Sequence, residues 1–464
     1  MTIAEATPDL EVDDRNDRAF LGHPKGLGYL AFVEGCERFS YYSMQTLLTL
    51  YMVNYLLIPG RLENVVGLEW LRVNHYDGLS GQPLSSAIFG DYTSLVYLTP
   101  ILGGIIADRF IGRRAALISG GAIMALGHFL MAFEHMFVFA LLSLIVGVGL
   151  FKGNIASQVG ALYKENDLRR AMAFQIFYIA INVSVIVAPL ISGTLGEKVG
   201  WHWGFGCAGV VMVGGLLLFL AARPYLPDNS RPEKGQPREK MGPGDWPRVF
   251  ALVLLVPAMA IGLLTNQQIF NAYLVWADQQ FQLTFFGMTV PTSWMITIDA
   301  ALSFSMLVAV AAFWKWKADK TGSEPDELGK MIIGSFFTIA GGLCLYMAAL
   351  TQGSGKIGLF WPVMFHLLNS IGFAHILPVS LALFSKIAPR AINATVIGIY
   401  YLAFFLANKI VGYVGEWFSS MPTTTFWLIH VASAVVGLLA FVLFKLLVAG
   451  RMTRAMEADG AALA

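Results

Sequence analysis

Apolar runs of membrane-spanning length, broken by short polar stretches, set the pattern of this chain. A helix needs about 20 residues to cross about 30 Å of hydrocarbon. Twelve segments meet that requirement, near 28–58, 85–107, 114–133, 136–161, 171–195, 203–222, 247–277, 289–314, 331–350, 358–385, 391–416 and 424–448. The longest exceed it and are expected to tilt or to extend past the bilayer. Glycines inside the runs (Gly103, Gly104, Gly147, Gly149, Gly341 and Gly342) predict close backbone approach between helices. Pro100, Pro189, Pro257 and Pro378 predict bends, because proline removes a backbone hydrogen bond. The pattern predicts an all-α polytopic membrane protein with 12 transmembrane helices.

Charge orients the spans. Of 31 Lys and Arg, 24 fall on the side that holds the N-terminus and four (Arg61, Arg72, Lys198, Lys356) on the other. Arg38, Lys152 and Lys409 fall inside spans. This asymmetry predicts a multi-pass protein of the cell's inner (plasma) membrane with both termini cytoplasmic. Residues 1–24 are polar and acidic and lack the apolar core of a signal peptide, so the first helix is expected to target the chain. A segment rich in Pro, Gly, Lys and Arg divides the spans six and six. The expected organisation is a cytoplasmic tail over 1–24, a six-helix bundle over 25–222 and a cytoplasmic linker over 223–245. A second six-helix bundle over 246–450 and a cytoplasmic tail over 451–464 complete it. Two six-helix halves joined in this way are the build of one large class of secondary transporters. The outer loop 59–84 is polar and is expected to hold short irregular structure.

Composition narrows the class. Hydrophobic residues make up 56% of the 464 and charged residues 13%, against roughly 25% charged in soluble domains. A net charge of +1 gives no bulk field for nucleic acid. Cys36, Cys207 and Cys344 lie far apart and form no CxxC, so neither a disulfide scaffold nor a zinc site is expected. No glycine loop ending in GKS or GKT is present, which argues against ATP drive. Metal-ligand spacing and nucleophile arrangements are also missing, so an enzyme, a metal or another cofactor is not expected.

The chemistry concentrates where charge interrupts the runs. The stretch 31–44 holds Glu34, Glu37 and Arg38 within five residues. On a helix Glu34 and Arg38 lie one turn apart on one face, with Glu37 beside them and Tyr41 and Tyr42 a turn further on. Charge in hydrocarbon is costly, so the cluster must face protein or water. Lys152, in LFKGNIAS, needs an anionic partner or a wet cavity, and Glu34 and Glu37 are the obvious anions. Either a structural salt bridge or a proton and substrate network accounts for the set. In the second case, protonating one carboxylate releases a cation to hold an anionic substrate.

Asp91 and Asp299 are further buried acids, each a proton carrier or a counter-charge for a substrate cation, with an interfacial acid as the plainer reading of Asp91. Lys409 is placed to pair with one of them or to snorkel. Asn182, Asn266, Gln267, Gln268, His366 and Asn369 suit a pocket that reads a polar solute, with Tyr41, Tyr42, Tyr178 and Trp294 as lining. His375 reads as a packing residue. Asp108, Arg109, Gly112, Arg113 and Arg114 form a tight turn between spans two and three. It is either a positive-inside anchor or a cytoplasmic latch in which Asp108 pairs with arginine or with a helix N-terminus.

Several stretches together resemble the proton-dependent oligopeptide transporter family, within the major facilitator superfamily. They are Glu34-x-x-Glu37-Arg38-Phe39-Ser40-Tyr41-Tyr42, YLTPILGGIIADRFIGRR at 97–114, GLFKGNI at 149–155, FYIAINVS at 177–184, GWHWGF at 200–205 and SKIAPR at 385–390. The resemblance covers nearly all the spans and is strongest in the first half. It implies the major facilitator fold and alternating access between two six-helix bundles. It also implies import of di- and tripeptides with protons, driven by the proton gradient; plant relatives move nitrate and other solutes. Many bacterial members carry two extra helices between the halves, for which 223–245 is too short. By matched motif, Glu34, Glu37 and Arg38 would couple protons, Lys152 would be their cationic partner, and Tyr41, Tyr42 and Asn182 would belong to the peptide pocket.

The chain also departs from the family pattern. Where peptide transporters carry Arg after the tyrosines it has Gln45, and where the seventh helix carries a Glu-Gln pair it has Gln267-Gln268. An amide–amide hydrogen bond between Gln45 and Gln267 is the expected replacement for the family's outer-gate salt bridge. Gly372-Phe373 stands for the tenth helix's Gly-Glu, and Asp299-Ala300 for the eighth helix's Asn-Pro. Asp299 is therefore expected to anchor a substrate ammonium in place of the missing carboxylate. The second-helix histidine of animal members falls at Gly90, and Asp91 beside it is expected to take that proton. The leading reading is a proton-coupled symporter of short peptides, working as a monomer in membrane lipid. One rival keeps the transporter and makes the cargo a non-peptide organic solute or anion. Another is a receptor or structural membrane protein, which leaves the buried charges unexplained.

Overall fold

The computed structural model describes residues 18–163, 167, 169–226, 241–242, 245–389 and 392–449. The tail 451–464, most of the tail 1–24 and most of the linker 223–245 lie outside the described residues. Lipid offers no hydrogen bonds, so a chain this apolar satisfies its backbone within helices. The long helices are α1 (Lys25–Tyr51), α2 (Gly81–Ile106), α3 (Arg113–Leu130), α4 (Phe137–Ala161), α5 (Arg169–Ala188) and α6 (Trp201–Ala222). After the linker come α7 (Asp245–Gly262), α8 (Trp294–Thr321), α9 (Glu327–Leu350), α10 (Phe360–Ile387), α11 (Asn393–Gly415) and α12 (Thr423–Phe444).

Among the described residues, 10 of these helices are long and apolar enough to cross a membrane. The other two are diluted by charge and polarity: α1 carries Lys25, Glu34, Glu37 and Arg38, and α3 opens on Arg113-Arg114. A short helix, Leu68–Asn74, sits in the loop 59–84. A hairpin of β1 (Thr284–Phe285) and β2 (Met288–Thr289) precedes α8, with Thr284 opposite Thr289.

The expected continuous span 247–277 is broken. Helix α7 stops at Gly262, and the chain continues as Leu264–Gln267, Gln268–Phe270 and Ala272–Gln280. The break ends at Asn271, whose backbone leaves the helical region at φ −118 and ψ −111. Asn266, Gln267, Gln268 and Asn271 fall in this stretch, and such side chains offer a helix backbone competing hydrogen bonds. Of the expected bends, Pro189 starts a five-residue turn of wider, π-helical geometry that extends α5. Pro100, Pro257 and Pro378 lie inside continuous helices.

Helix α1 packs on α5 and α6, α4 on α2 and α3, and α3 also on α6. Past the linker, α9 packs on α10 and α12, α8 on α10, and α7 on α11 and α12. The two sets of helices meet along α2–α11 and α5–α8. Close approach depends on glycine, as expected of small residues between membrane helices. A Cβ on Gly103 would lie 1.9 Å from the Gly149 carbonyl oxygen, and one on Gly90 2.5 Å from Gly412 Cα. Gly104 was expected to do the same but has no atom within 4 Å of its Cβ direction.

Candidate functional site

Helix α1 delivers the charges. Its i,i+4 spacing brings Arg38 Nε to 2.8 Å from Glu34 Oε1, and Glu37 Oε2 lies 2.6 Å from the same nitrogen. Glu34, Glu37 and Arg38 are 3%, 0% and 5% exposed. Neither Glu37 oxygen accepts a well-formed hydrogen bond, nor does Glu34 Oε2. A buried carboxylate oxygen without a donor is a place where a proton can sit. From the same helix, Ser40 bonds His128 of α3 at 2.5 Å and donates to the Ala208 carbonyl of α6 at 3.2 Å. Those bonds fix the helix rotation that aims the charges.

Lys152 is not joined to these carboxylates. Among the described residues no carboxylate lies within 4.0 Å of it. Its ammonium sits 4.3 Å from the Tyr97 ring centroid and 5.4 Å from that of Tyr41, a cation–π arrangement. Arg38 faces the same Tyr41 ring at 5.5 Å. The Tyr41 hydroxyl is buried without a partner. Tyr42 packs edge-on to Tyr41 and leans on Phe270.

These groups lie where the two sets of helices face each other. Tyr401 of α11 lies in electrostatic range of Arg38 and Glu34, and Tyr178 of α5 in range of Tyr42 and of Tyr400 on α11. Yet Tyr178 is 46% and Tyr401 37% exposed. Tyr97 of α2 stacks on Phe404 of α11 at 5.0 Å, joining the two sets. Asn182 donates to the Tyr178 carbonyl at 2.8 Å.

One end of the seam between the two sets is sealed. Asn54 donates to Asp278 at 2.9 Å, Thr49 to the Phe270 carbonyl at 3.0 Å and Ser86 to Asn271 at 3.0 Å. Glu197 accepts the backbone N–H of Thr292 at 2.6 Å and of Ser293 at 2.8 Å, capping the start of α8 from the opposite helix set. Trp294, expected as pocket lining, donates its indole N–H to Thr194 at 2.9 Å and so ties this end together. Asp91 binds Lys409 of α11 and, at 2.8 Å, His75 of the loop before α2. This resolves the pairing of Lys409 in favour of Asp91 and places Asp91 at the sealed seam.

At the other end Asp108 bonds only within its own turn among the described residues, to Arg113 Nε at 3.0 Å. Arg109 is exposed there, and Gly112 opens α3 with φ +82, which favours glycine. Arg114 lies 3.5 Å from the Leu226 carbonyl.

The sequence from 30 to 408 matches the family model of the Major Facilitator Superfamily. The chain belongs to that superfamily. The relatives it is similar to include peptide transporters of the POT family, the family that the sequence resembles. It is 28% identical to the peptide transporter YePEPT of Yersinia enterocolitica over 86% of this chain and 88% of that protein. It is 26% identical to a di-/tripeptide transporter of Lactococcus lactis subsp. cremoris over 93% of this chain and 97% of that one. A crystal structure of peptide transporter POT in complex with sulfate superposes with a TM-score of 0.81, at 25% identity over 94% and 97% of the two chains. Membership in the superfamily makes the chain a membrane transporter rather than an enzyme. No cluster of potential metal ligands occurs among the described residues.

Superfamily relatives do not settle the positions that depart from their pattern. Gln45 and Gln267 are both buried, at 2% and 6% exposed, but the expected bond between them is not formed. Gln267 instead donates to Asn266 at 2.9 Å and accepts from Asn408 at 3.5 Å, because the broken helix turns it toward α11. Asp299 is 13% exposed and its Oδ1 lies 2.9 Å from His366 Nδ1. Asn369 is 1% exposed with its Nδ2 unpartnered, and Phe373 is half-buried. Sequence reasoning missed Tyr97, Tyr400, Tyr401, His75, Glu197 and Tyr273. A signal existed for the first three: Tyr97 opens the YLTPILGG stretch, and Tyr400-Tyr401 repeats the adjacent pair at 41–42.

Proposed function

We propose that this chain is a proton-coupled symporter that imports di- and tripeptides by alternating access. Two six-helix bundles, 25–222 and 246–450, joined by the linker 223–245, would rock about the central cleft. Twelve spans, both termini in the cytoplasm and an inner-membrane location complete the reading. With that orientation the sealed end faces outward and the cleft opens to the cytoplasm. The turn at Asp108, Arg109, Gly112, Arg113 and Arg114 then acts as the cytoplasmic latch when the inner end shuts. A single chain holds a complete pathway, so a monomer suffices.

One observation carries the reading: Arg38 is shared by two buried carboxylates, while Lys152 faces the same Tyr41 ring without an ion-pair partner among the described residues. A proton arriving at Glu37 or Glu34 removes one negative charge from that cluster. Arg38 or Lys152 is then free to hold the carboxylate of a peptide, so proton and peptide bind together. Tyr41, Tyr42, Tyr178 and Asn182 line the same wall. Asp299, Asn369 and Phe373 stand on the opposite wall, where Asp299 holds the peptide ammonium.

A non-peptide organic solute or anion is the second reading. Gln45, Gln267 and Phe373 favour it, because none restores the charge that peptide transporters place there. Uptake of a labelled dipeptide into proteoliposomes, inside negative and outside acid, decides between them. Accumulation that collapses with an uncoupler supports peptide–proton symport. No accumulation by folded, inserted protein moves the function to another solute.

A further inference from the structure

The wall opposite the charged cluster contains an unbroken line of three titratable side chains. Asp299 of α8, His366 of α10 and Tyr273 of the segment Ala272–Gln280 are joined at 2.9 Å and 2.7 Å. His366 and Tyr273 are 0% exposed, while the Asp299 side chain is 13% exposed. An ionised carboxylate only accepts, so Nδ1 of His366 carries a hydrogen toward Asp299 and Nε2 accepts from the Tyr273 hydroxyl. Among the described residues no other titratable side chain bonds the ring. Helix α9 meets this part of α10 through Gly341, and α11 meets α10 further along, at Ser380 and Tyr400. His430 of α12 is tied to its own Phe426 carbonyl and stacks on Trp427.

We propose that Asp299, His366 and Tyr273 form a second proton-binding site, which sets the hold on a substrate ammonium and reports its state to the sealed end. The inference rests on the peptide reading above. With neutral His366, Asp299 presents a full negative charge to the cleft. A proton taken up at Nε2 makes the ring an imidazolium, which neutralises that charge through Nδ1–H. No other bond forms or breaks. Tyr273 keeps its proton and turns from donor to acceptor, since Nε2 now donates. Tyr273 lies two residues from Asn271, which bonds Ser86 and the Val411 carbonyl, and five from Asp278, which bonds Asn54 and Thr292. The pocket's charge state thereby reaches the backbone segment that closes the outer end. Ammonium and proton compete for Asp299, and release of the proton restores the anchor.

The test compares a dipeptide with its N-acetyl form, binding to the full-length protein in nanodiscs. Imidazole ordinarily changes charge between about pH 5 and 8, so the measurement is made near pH 7 and near pH 5.5. The preference for the free amine is expected to fall about tenfold on acidification, the equivalent of one pKa unit of interaction. It should stay flat in His366→Gln, and Tyr273→Phe should move the midpoint of the fall. The same fall in His366→Gln overturns the proposal. So does a loss of stability in both variants with the pH dependence intact, which is what a purely structural fastening predicts. If wild-type protein binds neither peptide, the peptide reading fails while the relay is still judged, by 15N spectra of histidine-labelled protein. The ring signal that His366→Gln removes should gain a second N–H on acidification and change in Tyr273→Phe. A ring with one N–H throughout overturns the relay.

Discussion

The two walls of the cleft solve the problem of buried charge in different ways. On the α1 wall, two carboxylates converge on one guanidinium, and a lysine is parked over aromatic faces nearby. On the α8–α10 wall, a single carboxylate is bonded by one imidazole ring, which a phenol bonds in turn. The first arrangement is crowded with fixed charge, and in the proposed function a proton there sets a cation free. The second holds one charge, and in the proposed relay a proton removes it. A solute with a negative and a positive end suits such a pair, because each wall can let go of a different end.

Removing the shared cation should have the largest effect. Arg38→Ala strands two buried carboxylates, a change that costs about 3–5 kcal/mol for buried pairs. Loss of gradient-driven uptake together with a lower melting temperature is expected. An active, stable Arg38→Ala protein would break the contrast between the walls. Glu37→Gln is gentler, since the amide fills the same space. Counterflow exchange should persist while accumulation against a gradient disappears, and accumulation at the wild-type level would remove Glu37 from coupling.

On the opposite wall, Asp299→Asn should weaken a free-amine dipeptide by about 10- to 100-fold, in line with about 1.5–3 kcal/mol for a charged hydrogen bond. Isothermal titration that finds unchanged affinity would show that this wall does not hold the amine. At the seam, Lys409→Met removes a half-exposed partner of Asp91, and exposed pairs contribute about 0–1 kcal/mol. A few-fold gain in the outward-open population, read from spin-label distances across α2 and α11, is the expected result.

The smallest effect on transport is expected at Asp326, a control remote from both walls. Asp326 caps α9, accepting from the Gly329 N–H at 3.0 Å and from Lys445 at 2.5 Å. Partial burial alone would raise its pKa, but those two donors hold it below the ordinary carboxylate value. The resulting stabilisation is present above the unfolded-state pKa and is lost as pH falls through the folded one. Asp326→Ala should therefore cost about 1 kcal/mol near neutral pH. Thermal melts of variant and parent should converge in acid, without a change in coupling.

The fold's helices were legible because lipid imposes a length and an apolarity that composition records directly. The charged face of α1 was legible for the same reason, since Glu34 and Arg38 could not have been tolerated apart. Contacts between distant helices were not. Nothing in the one-dimensional pattern pairs Asp91 with Lys409 rather than Asp299, or Asp299 with His366. The break before Asn271 was hidden by Ile269, Phe270 and Tyr273, which keep the run apolar while its amides interrupt the helix. Gln45 and Gln267 looked like partners because each stood where a partnered charge was expected. The break turned one of them away.

The contact of Gly90 with Gly412 has a mechanical consequence. With no side chain between them, the two backbones approach closely at this pair, near the sealed end. Asp108 lies 18 residues further along the chain from Gly90, about 27 Å of helix at about 1.5 Å per residue. A tilt of about 15° about that contact, the size of known subunit rotations, swings the far end by about 7 Å. Adjustments of an ångström or two where α2 and α11 cross are thus magnified into an opening wide enough for a small solute, with the glycine pair as fulcrum and α2 as the lever arm.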